Sequence, residues 1–360
     1  MKTKLFEKTM LGTIELKNRI VMAPLTRCRA INNIPNTLMA VYYEQRAGAG
    51  LIITEGTSPS PNGLGYARIP GIYSEEQVHG WKKVIAAVHA DGGKIFVQLM
   101  HTGRVSHPAN MPAGSEIIAP SPVAAKGQMW TDKDGLQDHA VPREMTKADI
   151  EKAKLEYVQS SKNAIEAGFD GVELHGANGY LLDQFLNPGS NRRNDEYGGS
   201  IENRCRFVLD VAEAVVKAIG KEKTGIRLSP YGAANDLQPF EGTEEEYAYL
   251  AKKLNDLGLV YIHLVDHSSM GAPKVEPSTV KKIRDNFKNT LILSGGYNRE
   301  RAEKDIDSGL ADLVAFGKPF ISNPDLVARL EQNAELTDFD KNTFYSADKK
   351  GYTDYPFMVK

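Results

Sequence analysis

The chain has 360 residues, 41% of them hydrophobic and 25% charged, so it can bury a large core without staples, and disorder and collagen-like repeats are excluded. Its 44 Lys and Arg nearly balance 46 Asp and Glu, for a net charge of −2, which provides no basic surface for nucleic acid. No apolar run approaches the ~18 residues of a membrane span, residues 1–15 lack the apolar core of a signal peptide, and Cys28 and Cys205 lie far apart, so a cytoplasmic chain without a disulfide scaffold or four-cysteine metal site is expected.

Residues 1–17 precede the first strand and are expected to form a capping hairpin. Short apolar runs at 19–22 and 51–54 read as buried strands, and Ser74 with Gln77 reads as a capping box opening a helix. A third strand at 94–99 is followed by 101–143, a stretch rich in Pro, Gly, Ser and Ala that reads as an inserted loop or small subdomain. Thr146 with Asp149 opens the next helix, and a strand follows at 169–174. From Ile201 the positions Cys205, Val208, Ala212, Val215 and Ile219 alternate four-three spacing along one helix face. Strands at 225–228, 260–264, 290–293 and 312–316 complete the set; Thr243 with Glu246 reads as a further capping box, and Asn323-Pro324 as a cap with proline in the first turn.

Strand and helix thus alternate about eight times, which means a parallel sheet with helical crossovers. Eight units, and the absence of a GxGxxG after the first strand, point to an α/β fold of the closed (β/α)8 TIM-barrel type rather than an open doubly wound sheet. Residues 1–360 read as one domain, with the hairpin at its base and 101–143 over the face where barrels place their chemistry.

That face collects at the C-terminal ends of the strands: Pro24, Thr26, Gly56, Gln98, His175, Asn178, Arg227, Asp266, His267, Gly295-Gly296 and Gly317-Lys318. Two glycine-bearing ends that each lead into a helix suit a phosphate, with Lys318 adding charge; ordinary turn glycines are the alternative. Arg227 between Ile226 and Leu228 needs an anion, either a ligand or a carboxylate such as Glu173. His175, Asn178 and Tyr180 form the densest polar cluster, without the carboxylate of a triad or a second histidine for zinc.

Ordered segments make the chain recognisable: 18–27 (NRIVMAPLTR), 97–104 (VQLMHTGR), 167–182 (AGFDGVELHGANGYLL), 195–204 (DEYGGSIENR), 315–318 (AFGK) with 323–326 (NPDL), and 351–356 (GYTDYP). The chain resembles the Old Yellow Enzyme family of flavin-dependent ene-reductases over nearly its whole length, most of all the bacterial subgroup with N-ethylmaleimide reductase and the nitrate-ester reductases. The resemblance implies non-covalent FMN across the top of the barrel. Thr26 would donate to the flavin O4, Pro24 and Gly56 would lie along the ring, Gln98 would bond the pyrimidine edge, and Arg227 would face N1 and O2. Gly295, Gly296, Gly317 and Lys318 would hold the phosphate. NADPH or NADH would reduce the flavin at N5 and leave; an enone or maleimide, or a nitro compound or nitrate ester, would then take the hydride. His175 and Asn178 would hold its oxygen, Tyr180 would donate the proton, and Tyr66, Met100 and Tyr345 would wall the substrate. Lysine stands at 318 where many members carry arginine, methionine at 100 where many carry tryptophan, and Cys28 lies two residues past the position that is cysteine in one branch.

A small-molecule enzyme, monomeric or homodimeric, without nucleic-acid or membrane partners, is the resulting expectation. A nitrate-ester reductase as main role, a flavin-free phosphate-binding barrel lyase, and a flavin-binding protein without turnover are the competing readings. The lyase would need a Schiff-base lysine or a metal site at a strand end, and neither is legible.

Overall fold

The structure, a computed structural model, describes residues 3–358; residues 1, 2, 359 and 360, which the one-domain span and partly the hairpin expectation include, lie outside the described residues. Eight parallel strands close into a barrel. They are β1 (Ile20–Met22), β2 (Leu51–Thr57), β3 (Ile95–Leu99), β4 (Gly171–Gly176), β5 (Thr224–Leu228), β6 (Tyr261–Val265), β7 (Thr290–Ser294) and β8 (Leu313–Phe316). Each pairs with its sequence neighbours, and β8 closes on β1 through Val314–Ile20, Ala315–Val21 and Phe316–Met22. The helices are α1 (Thr37–Glu44), α2 (Glu75–Ala90), α3 (Lys147–Ala167), α4 (Leu181–Leu186), α5 (Ile201–Ile219), α6 (Thr243–Leu257), α7 (Pro277–Asn286), α8 (Arg299–Asp307), α9 (Lys318–Ser322) and α10 (Leu326–Gln332).

Local signals explain most helix starts. Ser74 and Thr146 cap α2 and α3 with reciprocal bonds to Gln77 and Asp149, satisfying backbone donors that the first turn leaves free. The α5 stripe buries Cys205, Val208, Ala212 and Val215 against the barrel. Two expectations are corrected. At α6 the N-cap is Gly242, and Thr243 Oγ1 donates to the Phe240 carbonyl instead of capping. Glu246 is drawn inward because Arg204 on α5 needs a carboxylate, and that buried pair outcompetes a surface cap. Asn323-Pro324 does not open α10, whose N-cap is Asp325. The Asn323 side chain instead ties residues 319 and 337 together, accepting from the Thr337 N–H and donating to the Pro319 carbonyl.

The N-terminal hairpin pairs Thr9–Leu11 with Ile14–Leu16 and closes the barrel's base. Leu11 and Leu16 pack into the interior with Val21, Leu51, Ile53, Phe96, Tyr261, Ile292 and Leu313. Gly171 and Gly225 make room for this layer: a Cβ there would lie 2.4 Å from Phe96 and 2.3 Å from Tyr261. Residues 101–143 carry a short hairpin, Gln128–Thr131 with Gly135–Asp138, and a parallel pair, Ile118–Ala119 with Arg143–Glu144. Met129 of that hairpin packs with Met100, Leu64 and Tyr180.

Candidate active site

One strand step above the apolar base, the interior turns polar. Side chains of a strand alternate faces, so inward positions repeat every second residue. On β3 the inward series is Phe96 then Gln98; on β4, Gly171, Glu173, His175; on β5, Gly225 then Arg227; on β6, Tyr261 then His263. Register places His175 beside Arg227 and Arg227 beside His263. Glu173 is held by Gln98 Nε2 at 2.8 Å and lies 2.9 Å from His263 Nδ1, whose Nε2 meets Ser294 Oγ at 3.1 Å. Burial holds the His263 imidazole below its ordinary value. Glu173 attracts Arg227 through space, while Arg227 Nε has no hydrogen-bond partner in a residue only 7% exposed. Both readings of Arg227 are therefore partly met: the carboxylate neutralises it electrostatically, and the guanidinium still has a donor to spare.

Above this layer lies a cleft of about 580 Å³. Pro24, Thr26, Asn178, Arg227, Gly295, Gly296, Gly317, Lys318 and Tyr345 line it, with Ser294, Asp266 and His267. Gly295 and Gly296 have φ of 118° and 63°, and a Cβ on Gly295 would lie 2.0 Å from the Asp266 carbonyl oxygen, so glycine is required for the loop to turn there. Exposed Lys318 starts α9 at the same rim. The C-terminal segment reaches the cleft because two buried arginines hold its backbone. Arg29 donates to the carbonyls of Thr343, Phe344, Asp348 and Lys350, and Arg27 to those of Phe344 and Gly351. This brings Phe344 and Tyr345 into the lining, although Tyr345 remains 59% exposed.

His175 and Tyr180 lie behind the lining, His175 beside Arg227 on the neighbouring strand, their rings edge-on with centroids 4.8 Å apart. Burial, reinforced by the Arg227 charge, holds His175 well below the usual histidine range, so it is neutral. Burial raises the Tyr180 hydroxyl, so it keeps its proton. Tyr66 Oη lies 2.9 Å from Tyr180 Oη. His175 Nδ1 and the Asn178 side-chain oxygen are buried without partners. Groups left so are costly unless a ligand completes them.

Six expected residues, Gly56, Tyr66, Gln98, Met100, His175 and Tyr180, lie off the lining. Gln98 bonds Glu173 within the barrel. Met100, 1% exposed, occupies the space a side chain at Gly56 would take, its sulfur 2.4 Å from a Cβ built there. Cys28, which has no site role, is packed, 5% exposed, and burial pushes its thiol up to about 12, which makes it inert. Sequence reading missed Ser229, Asn235 and Asp183, which surround the 177–180 turn. Asn235 donates to the Asn178 carbonyl at 2.8 Å, and Ser229 accepts from the Asn178 N–H at 2.9 Å. Only the position of Ser229, just past β5, could have flagged it.

Among the described residues no cluster of three or more His, Cys, Asp or Glu could hold a metal ion, and no helix is long and apolar enough to cross a membrane. A shaped cleft with cationic and glycine-rich walls at one end, and unpaired buried polar atoms at the other, fits a planar ligand with an anionic tail beside a small polar substrate.

Comparison with known proteins agrees. Residues 4–337 match the model of the NADH:flavin oxidoreductase / NADH oxidase family. The chain is 41% identical to 12-oxophytodienoate reductase 7 of Oryza sativa subsp. japonica over 98% of this chain and 94% of that one. It is 42% identical to a probable flavin mononucleotide-dependent alkene reductase of Leishmania infantum, over 97% and 96% respectively. Among solved structures, morphinone reductase superposes with a TM-score of 0.95 at 43% identity, covering 99% of this chain and 97% of the other. Morphinone reductase in complex with tetrahydroNAD gives 0.94 at 44% identity, with 99% and 98% covered.

Proposed function

Since the chain belongs to the NADH:flavin oxidoreductase / NADH oxidase family, the Old Yellow Enzyme family, we propose that it is an FMN-dependent ene-reductase whose reaction is carried by the residues around this cleft. Enones and maleimides are its substrate class. The observation that carries the reading is the pair of unpartnered buried nitrogens, His175 Nδ1 and Arg227 Nε, beside a proton-bearing Tyr180. Bound there, FMN would supply hydride chemistry between NAD(P)H and the alkene's β-carbon.

This chain's residues do the rest. Gly295, Gly296, Gly317 and Lys318 would hold the phosphate, through backbone N–H groups that glycine lets approach it and through a compact charge. Thr26, Pro24 and Arg227 would hold the ring, and the Arg227 charge would favour its reduced, anionic form. Gly56 and Gln98 support that wall from within the barrel. Neutral His175 and the Asn178 amide each donate a hydrogen bond to the substrate's carbonyl oxygen and draw electrons from the alkene. Tyr180 then gives its proton to the α-carbon, so that one hydride and one proton saturate the bond. Tyrosine's reference pKa near 10, raised further here by burial, keeps the donor loaded at neutral pH. Tyr66 orients it, and Tyr345 and Phe344 close the outer side.

The test is anaerobic. The flavin is bleached with stoichiometric NADPH and 2-cyclohexenone is added; its colour returns. A flavin that stays bleached defeats the ene-reductase reading. In Tyr180→Phe the return slows by about 10²-fold, within the range for a general acid, while bleaching by NADPH is nearly unchanged. Equal loss of both removes Tyr180 from the role.

A further inference from the structure

Asn178 has a φ of 61°, in the left-handed region that asparagine tolerates better than other side-chain-bearing residues, and Gly179 follows at 76°. The conformation fixes where the amide points only if its backbone groups are held. The structure surrounds it: Asn178 N–H donates to Ser229 Oγ at 2.9 Å, and the Asn178 carbonyl accepts from Asn235 at 2.8 Å. Both backbone groups are thus bound, and the side-chain amide is left to face the cleft.

One carboxylate stands behind this turn. Asp183 lies in α4, 4% exposed. Its Oδ2 accepts from Gly179 N–H at 2.8 Å and from the Ser229 hydroxyl at 3.3 Å. Oδ1 faces the Tyr247 hydroxyl at 3.4 Å. We propose that Asp183 is a positioning residue: directly through Gly179, and through the relay Asn178 N–H to Ser229 O–H to carboxylate, it fixes the left-handed turn that aims the Asn178 amide at the substrate oxygen. This deepens the functional reading above and rests on it for the role of Asn178.

The charges around Asp183 give the clamp a pH dependence. From α6, Tyr247 and Glu246 face it, and Glu246 is itself bound by Arg204 of α5. No Lys, Arg or His among the described residues forms an ion pair with Asp183, so burial pushes its carboxyl up to about 7. The carboxylate is the stronger acceptor, so the turn is held more firmly above that pH than below it.

The test uses the FMN-loaded protein and three variants, Asp183→Ala, Asp183→Asn and Ser229→Ala. Amide hydrogen exchange across residues 176–182 is expected to quicken by about tenfold or more in Asp183→Ala and Ser229→Ala, with the barrel strands unchanged. The KM for 2-cyclohexenone is expected to rise by about tenfold in both, the loss of roughly one charge-assisted hydrogen bond, with kcat within about threefold. Asp183→Asn, which keeps one acceptor oxygen, is expected to recover most of the KM and to lose the inflection near pH 7 that the wild type shows in its KM. Unchanged exchange at 176–182 overturns the clamp whatever the substrate. An unchanged KM, or equal loss of kcat in the Ala and Asn variants without a change in KM, overturns the positioning role. A wild type that exchanges as expected but never reduces the enone defeats the functional reading instead, and with it the role of Asn178.

Discussion

The lower and upper halves of the barrel interior come from the same strands, one inward position apart, and have opposite chemistry. Below, Phe96, Tyr261, Val21, Leu51, Ile292 and Leu313 meet the hairpin's Leu11 and Leu16, all within 1% of full burial. Above, Gln98, Glu173, His175, Arg227 and His263 are also buried, none more than 7% exposed, yet His175 Nδ1 and Arg227 Nε lack partners. The lower half gains stability from removing apolar surface from water. The upper half pays desolvation of polar atoms that only a ligand can complete. Fold and site are therefore separable within one barrel, although they share every strand.

That separation can be broken from either side. The largest effect is expected at the base. Phe96→Ala should cost about 3–5 kcal/mol of unfolding free energy, the usual range for emptying a buried aromatic site, read by denaturant melts. The surviving folded protein should still bind FMN and reduce enone at near the wild-type kcat. Loss of kcat in proportion to stability would join what the comparison separates.

Arg227→Met is the reverse experiment. It should weaken FMN binding by about tenfold or more, roughly 1.4 kcal/mol, followed by flavin fluorescence on titration. Stability of the FMN-free protein should fall as well, because buried Glu173 loses the cation that neutralises it. A large loss of stability without a change in FMN affinity would mark Arg227 as a structural partner of Glu173. The smallest effect is expected at Thr26, partly exposed on the rim. Thr26→Ala should leave FMN bound and shift its midpoint potential by about 20–30 mV, one hydrogen bond's worth of energy on a two-electron couple. An unchanged potential would count against the hydroxyl contact.

Much of this molecule was legible in the chain itself. The eight strands and their barrel order followed from apolar runs alternating with helical stripes, and the hairpin from what was left before residue 18. Strand ends were placed less well. The fourth strand begins at Gly171 rather than 169, since Gly168 in the left-handed region ends α3 first and Phe169 and Asp170 link the two. The expected capping pair Thr243 and Glu246 failed because a local motif was read without Arg204, a partner 42 residues away in sequence. Of the expected site residues, those at the ends of β1, β5, β7 and β8 meet in the cleft together with Asn178 after β4, because the strand ends were legible, while Tyr345 reaches it only through the buried arginines.

Residue pattern alone determined which elements form, since backbone hydrogen bonding and side-chain period act over a few residues. It also determined the chemical inventory at each strand end, and hence the family resemblance. Tertiary structure decided which of those groups are left wanting a partner. Glu173 could have paired Arg227 fully, but the barrel's register gives its oxygens to Gln98 and His263. Met100 could have lined the cleft, but the missing side chain of Gly56 draws it into the wall. Asp183, from the helix after β4, and Ser229, from the loop after β5, meet only behind Asn178. Such pairings depend on distance and desolvation in three dimensions, quantities that closing the barrel creates and that no stretch of the chain contains by itself.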